Sequence, residues 1–154
     1  LGLLNHQKDD VILLQELLDS MAENKADFSL TFRRLSDILA KNNDENNTLD
    51  ERFTKLFKDP FVAQKWLRKW RVRLRLEDLN DKERQRVMRA SNPAYIPRNH
   101  RVEEVITAAL DEDLEPFEKL IKILSTPFDD QPKNINFQNA PKPGEIVHET
   151  FCGT

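Results

Sequence analysis

Apolar positions recur at steps of three and four through most of residues 8–125, which predicts a succession of amphipathic helices. Val11, Leu14, Leu17, Leu18 and Met21 fall on one helical face, behind a cap at Asp9 or Asp10. Phe28, Phe32, Leu35 and Leu39 mark a second stripe that runs to about Ala40. KNNDENNT, 41–48, is too polar to continue it and reads as an exposed loop. A short helix is expected from about Leu49 to Phe57, and Pro60 suits the first turn of a longer one. On that helix Ala63, Trp66, Leu67, Trp70 and Leu74 lie within about 100° of each other. A further helix spans about Asp81 to Ala90, and SNPAYIP, 91–97, breaks it because each proline removes a donor and restrains the residue before it. Pro97 then opens a helix to about Ala109. Another begins near Pro116 and stops before Pro127, with Phe117, Leu120, Ile121 and Leu124 inward. The fold expected is all-α: a compact helical region of about six to seven helices over 1–125, and an irregular, proline-containing tail over 126–154.

Charge changes this picture most at KWLRKWRVRLR, residues 65–75, where Lys65, Arg68, Lys69, Arg71, Arg73 and Arg75 surround two tryptophans with no acid among them. Cations with interleaved rings suit a nucleic-acid groove, since the charges meet phosphates and the rings stack on bases. The helical period argues against that use here, because it gathers Trp66 and Trp70 into the apolar stripe and leaves the cations on the remaining circumference. The positive charge is also local. Residues 65–101 hold twelve basic and four acidic side chains, residues 102–130 hold two basic and nine acidic, and the whole chain has a formal net charge of -3. Segments of opposite sign can satisfy each other or set the choice of partner.

The 154 residues are enough for about one domain with a real core. No apolar run approaches the roughly 18 residues of a membrane helix, so no membrane is expected as a partner. The single cysteine, Cys152, excludes an internal disulfide and has no neighbouring histidine to activate it. His6, His100 and His148 are far apart, so no metal site is expected. Three scattered glycines leave no phosphate-cradling loop. The chain opens at Leu1 and reads as the C-terminal part of something longer, or as a trimmed piece. In NPAYIPRN, 92–99, Arg98 and Asn99 stand at the start of a helix, where free N–H groups could hold an anion. The same residues could form a buried polar knot locking two helices, which is the favoured reading.

RQRVMRASNPAYIPRNHRVEEVI, then PFEKLIKILSTPFDDQP, then the terminal ETFCGT, resemble the C-terminal region of the selenoprotein O family, the bacterial YdiU-like proteins. LGL at the start, DFSLTFRRL at 27–35 and the tryptophan-and-arginine helix extend the resemblance over most of the chain. Phe137 with the spaced Pro141 and Pro143 departs from the family's usual tyrosine followed by a proline pair. The resemblance implies a pseudokinase-like parent that transfers AMP from ATP to protein hydroxyls with a divalent metal such as magnesium. Its nucleotide and metal residues would lie upstream, so no catalytic, cofactor-binding or metal residue is carried onto this chain. Partners implied are the upstream kinase-like domain of the same protein and the parent's protein substrates. The family also implies a cytoplasmic protein in bacteria and a mitochondrial one in eukaryotes. Cys152 matches the position of selenocysteine in some animal members and is therefore expected as a redox site, bonding reversibly to an upstream cysteine. Alone, the piece is expected to lack activity and to dimerise through any apolar face it exposes. The competing reading is a free-standing helical module that binds protein or nucleic acid through residues 65–75.

Overall fold

A computed structural model describes residues 1–38 and 48–147. Leu39, Ala40, nearly all of the polar loop, His148 and Cys152 lie outside the described residues. Among those described, the elements are seven α-helices and two short 3-10 segments, with no strand, as the apolar periodicity requires. The chain divides into two units, Leu1–Asn92 and Pro93–Thr154.

The first unit contains α1 (Asp10–Asn24), α2 (Phe28–Leu35), α3 (Thr48–Thr54), α4 (Pro60–Leu74) and α5 (Asp81–Ser91). Local chemistry sets their ends. Lys25 adopts a left-handed conformation, φ 53°, after α1 and turns the chain so that Ala26 N–H reaches the Met21 carbonyl. Asp27 caps α2 by accepting from Leu30 N–H at 2.8 Å, and Asn80 caps α5 by accepting from Glu83 N–H at 3.0 Å. Asp59 accepts from Phe61 N–H at 2.9 Å, and Pro60 starts α4 with its φ already suited to a helix.

The core of this unit is built on α4. Ala63, Trp66, Leu67, Trp70 and Leu74 are all buried, the set that the helical period picks out. Phe53 of α3 and the Trp66 ring are stacked at 6.3 Å, and Trp66 and Trp70 at 6.1 Å. Both indole N–H groups are used: Trp66 donates to the Leu13 carbonyl at 2.8 Å and Trp70 to the Leu1 carbonyl at 2.9 Å. Gly2 has φ +72°, and a Cβ there would stand 2.6 Å from Arg84 Cγ. Its smallness lets the N-terminal segment pass against the stem of Arg84, whose guanidinium lies 6.0 Å from the centre of the Trp70 ring and pairs with Asp81.

Two predicted stripes in this unit are rotated. On α1 Val11 is exposed, and Leu13 joins Leu17 and Met21 inside. On α2 Leu35 is buried as predicted and Phe32 is half-buried, but Phe28 is exposed, and Leu30 and Thr31 are buried as well. Arg33 is also buried there, and its guanidinium donates to the carbonyls of Arg89 and Asn92, where α5 ends.

The second unit contains α6 (Asn99–Leu110), α7 (Glu115–Leu124) and the 3-10 segments Pro132–Gln138 and Pro143–Glu145. Its small core joins Ala94, Tyr95 and Ile123, with Leu124 and Phe137 packed against them. On α7 the inward pair is Leu120 and Ile123, so Phe117 and Ile121, predicted inward, face out.

Candidate functional site

The cations of α4 separate into two groups. Lys69 pairs with Glu16 of α1 at 2.7 Å. Arg71 makes two bonds to Asp50 of α3, at 2.7 and 2.6 Å. Arg73 donates through Nε to Asp10 at 2.6 Å, through a terminal nitrogen to Glu77 at 2.8 Å, and to the Asn5 carbonyl. Glu77 is a junction: besides Arg73 it accepts from the Leu4 and Asn5 N–H groups. Burial pushes the Glu77 carboxyl up, but the bonds from Arg73, Leu4 and Asn5 together outweigh it and hold the group below its ordinary value. Asp10 is also held low, chiefly by its bond to Arg73.

Lys65, Arg68 and Arg75 form the other group. They are exposed and have no ion pair among the described residues. Trp66 and Trp70 are 3% and 0% exposed, so neither ring can stack on a base. Three of the cations thus meet the unit's own acids, and three are outward charge, with Phe61 the exposed ring of α4.

Ala94 and Tyr95 tie NPAYIPRN to the segment after α7. Ala94 and Tyr95 N–H both donate to the Pro127 carbonyl, at 2.8 and 3.1 Å. Tyr95 hydroxyl donates to the Gln131 carbonyl at 2.9 Å, and the Gln131 amide reaches back to the Ile123 carbonyl at 2.9 Å. Gln131 was not visible as a partner in the sequence, because an isolated polar residue in a proline-rich segment carries no periodic signal. Arg98 occupies the cap position of α6 and is buried, while Asn99 opens the helix and is exposed. His100 follows, 5% exposed, with no hydrogen-bond partner at its buried Nε2. A cavity of about 290 Å³ is lined by Arg98, Asn99 and His100 on one side and by Pro141, Glu145 and Val147 on the other. Burial, and then the charge of Arg101, push His100 below the usual histidine value, against the opposing pull of Glu145 and Glu104.

That depression has a measurable consequence. A histidine whose folded pKa is lowered binds its proton more readily when unfolded, so folding weakens as pH falls below the unfolded value of 6.5. The carboxylates around Arg73 act only at lower pH, below their ordinary values of 3.8 and 4.5. Tyr95 is the one tyrosine and belongs to the second unit, whereas both tryptophans belong to the first. On acid titration the tyrosine signal should therefore change before the tryptophan signal. A His100→Gln variant should lose the early step, and simultaneous changes in wild type would contradict this assignment.

His6 is exposed and distant in sequence from His100. Among the described residues no group of three or more histidine, cysteine, aspartate or glutamate side chains could hold a metal ion. Among them also, no helix is long and apolar enough to cross a membrane.

Comparison with known proteins places these features in a wider frame. The family described as protein adenylyltransferase SelO matches residues 1–125. The whole chain is 46% identical over 155 residues to the protein nucleotidyltransferase YdiU of Rhizobium meliloti (strain 1021), of which it covers 31%. It is 47% identical to the protein of that name from Bradyrhizobium sp. (strain BTAi1 / ATCC BAA-1182) and 48% to that from Rhodopseudomonas palustris (strain BisB5), covering 30% of each. The chain thus spans under a third of the length of the curated relatives it matches.

Proposed function

Since the chain belongs to the SelO protein adenylyltransferase family, we propose that it is the helical C-terminal part of an enzyme that transfers AMP from ATP to protein hydroxyls. One observation carries this reading: similarity runs through the whole chain, yet covers only 30–31% of relatives named as nucleotidyltransferases. In this role the two units support or regulate an upstream kinase-like region, which holds ATP and magnesium. The internal ion pairs of α4 suit a structural part, because they fix α1, α3 and α4 in one arrangement without using an outside ligand.

Calorimetry on the chain with ATP and magnesium is expected to give no specific heat. One-to-one micromolar binding would overturn the assignment of nucleotide chemistry to the upstream region. A full-length parent cut before this segment is expected to lose AMP transfer, and an unchanged transfer rate would remove the supporting role.

A further inference from the structure

The outer face of α4, with the residue that caps its C-terminus, carries a straight seam made by Phe61, Lys65, Arg68, Val72 and Arg75. The spacing is four, three, four and three residues, which at 100° per residue keeps all five within about 80°. All five are exposed, with Phe61 at 76% and Val72 at 59%, and Leu76 extends the seam at 64%. Fourteen steps at the helical rise make it about 21 Å long. The four-and-three step along one line is the spacing of a helix–helix seam, in which the stems of the cations lie beside the apolar groups. A surface-bound membrane helix would instead separate a wide apolar face from flanking cations. Val72 and Leu76 add nothing to binding phosphates, and Phe61 is a lone ring at one end of the line and not one interleaved with the cations. The seam therefore fits a helix, and its three cations, without an ion pair among the described residues, require that helix to bring acids.

α6 shows such a face. Glu103, Ile106 and Leu110 are all exposed, with Leu110 at 81%, and Asp111 and Glu112 follow in the turn. Their spacing of three and then four matches Arg75, Val72 and Arg68 read in the opposite direction. Run antiparallel, Arg75 meets Glu103, Val72 meets Ile106, and the stem of Arg68 covers Leu110. Glu103, unlike Glu104, has no cation partner among the described residues. Antiparallel packing also places opposite helix dipoles side by side.

We propose that the α4 seam of one copy seats α6 of a second copy, so that this chain self-associates through complementary charged and apolar stripes. The proposal is independent of the AMP-transfer reading, because it uses only exposed residues that were given no part in that chemistry.

Sedimentation of the chain over a wide concentration range tests it. The mass is expected to rise with concentration, and to rise less at high salt, which screens the exposed charges. Arg75→Glu alone and Glu103→Arg alone should each weaken association about tenfold or more, since each sets like charges against each other. The two together should restore it. Tryptophan and tyrosine emission should stay unchanged in all three variants, because both positions are exposed. Three results would overturn the proposal: a wild type that stays monomeric at every concentration, single variants that associate as wild type does, or a double variant that fails to recover. A monomer that pellets with phosphatidylserine vesicles would assign the seam to a membrane and overturn it too.

Discussion

Replacing Trp70 by alanine is expected to destabilise the Leu1–Asn92 unit by about 3–5 kcal/mol, the range for truncating a buried aromatic side chain. The ring is completely buried and stacks on Trp66, which in turn stacks on Phe53. Truncation opens a cavity at the centre of α4's packing and leaves the Leu1 carbonyl without its donor. It also removes the ring beneath the Arg84 guanidinium, which is itself buried. Natural domains keep only about 5–15 kcal/mol in hand, so a loss of this size takes a large share of that margin. Urea unfolding followed by the remaining Trp66 emission measures it. A midpoint within error of wild type would mean that the ring is not part of the core. Trp66→Ala should fall in the same range, because it too loses stacking and a buried hydrogen bond, to Leu13.

The tryptophan stripe was legible in the sequence for a simple reason. Trp66 and Trp70 are large, lie one turn apart, and share their face with Ala63, Leu67 and Leu74, whereas the rest of the circumference carries six cations among only scattered apolar residues, so one orientation wins. α7 offers no such contrast. Phe117, Leu120, Ile121, Ile123 and Leu124 give it apolar residues on more than one face, and periodicity alone selected the face containing Phe117 and Ile121. Packing on Ala94 and Tyr95 selected Ile123 instead. Val11 and Phe28 were misplaced in the same way, both in the first turns of their helices. Arg33 was missed because a charged residue breaks an apolar pattern, although its guanidinium is satisfied by the end of α5.

Partners of the α4 cations were not legible at all. Asp50, Glu16 and Asp10 are 21, 53 and 63 residues away from the side chains they meet, and helical spacing pairs residues only within a turn or two. What the sequence did show was the segregation of charge. Its consequence splits in the structure, with Lys69, Arg71 and Arg73 turned to the unit's own acids and Lys65, Arg68 and Arg75 left outward. The choice between a groove and an internal helix thus has a divided answer: both tryptophans are internal, three cations meet the unit's own acids, and the rest form the seam.

Arg73→Met is expected to cost about 3 kcal/mol at neutral pH, near the lower end of the range for breaking a buried ion pair. Arg73 is 10% exposed at its side chain and Glu77 only 1%, so methionine can keep the packing of the stem but leaves a buried carboxylate without its cation. The cost stays low in the range because Leu4 and Asn5 N–H still reach Glu77. Its pH dependence identifies the cause. Asp10 and Glu77 both have depressed folded pKa values, so their contribution is fully present above their unfolded values and is lost as pH falls through the folded ones. The window therefore opens below about pH 4.5 and continues to lower pH. The variant lacks the guanidinium that holds both groups low and should show a shallower loss of stability in acid. The gap between wild type and Arg73→Met should be widest at neutral pH and close as the solution is acidified. A gap of constant size across that range would show that Arg73 contributes through the packing of its stem alone, and that the junction at Glu77 does not hold the N-terminal segment electrostatically.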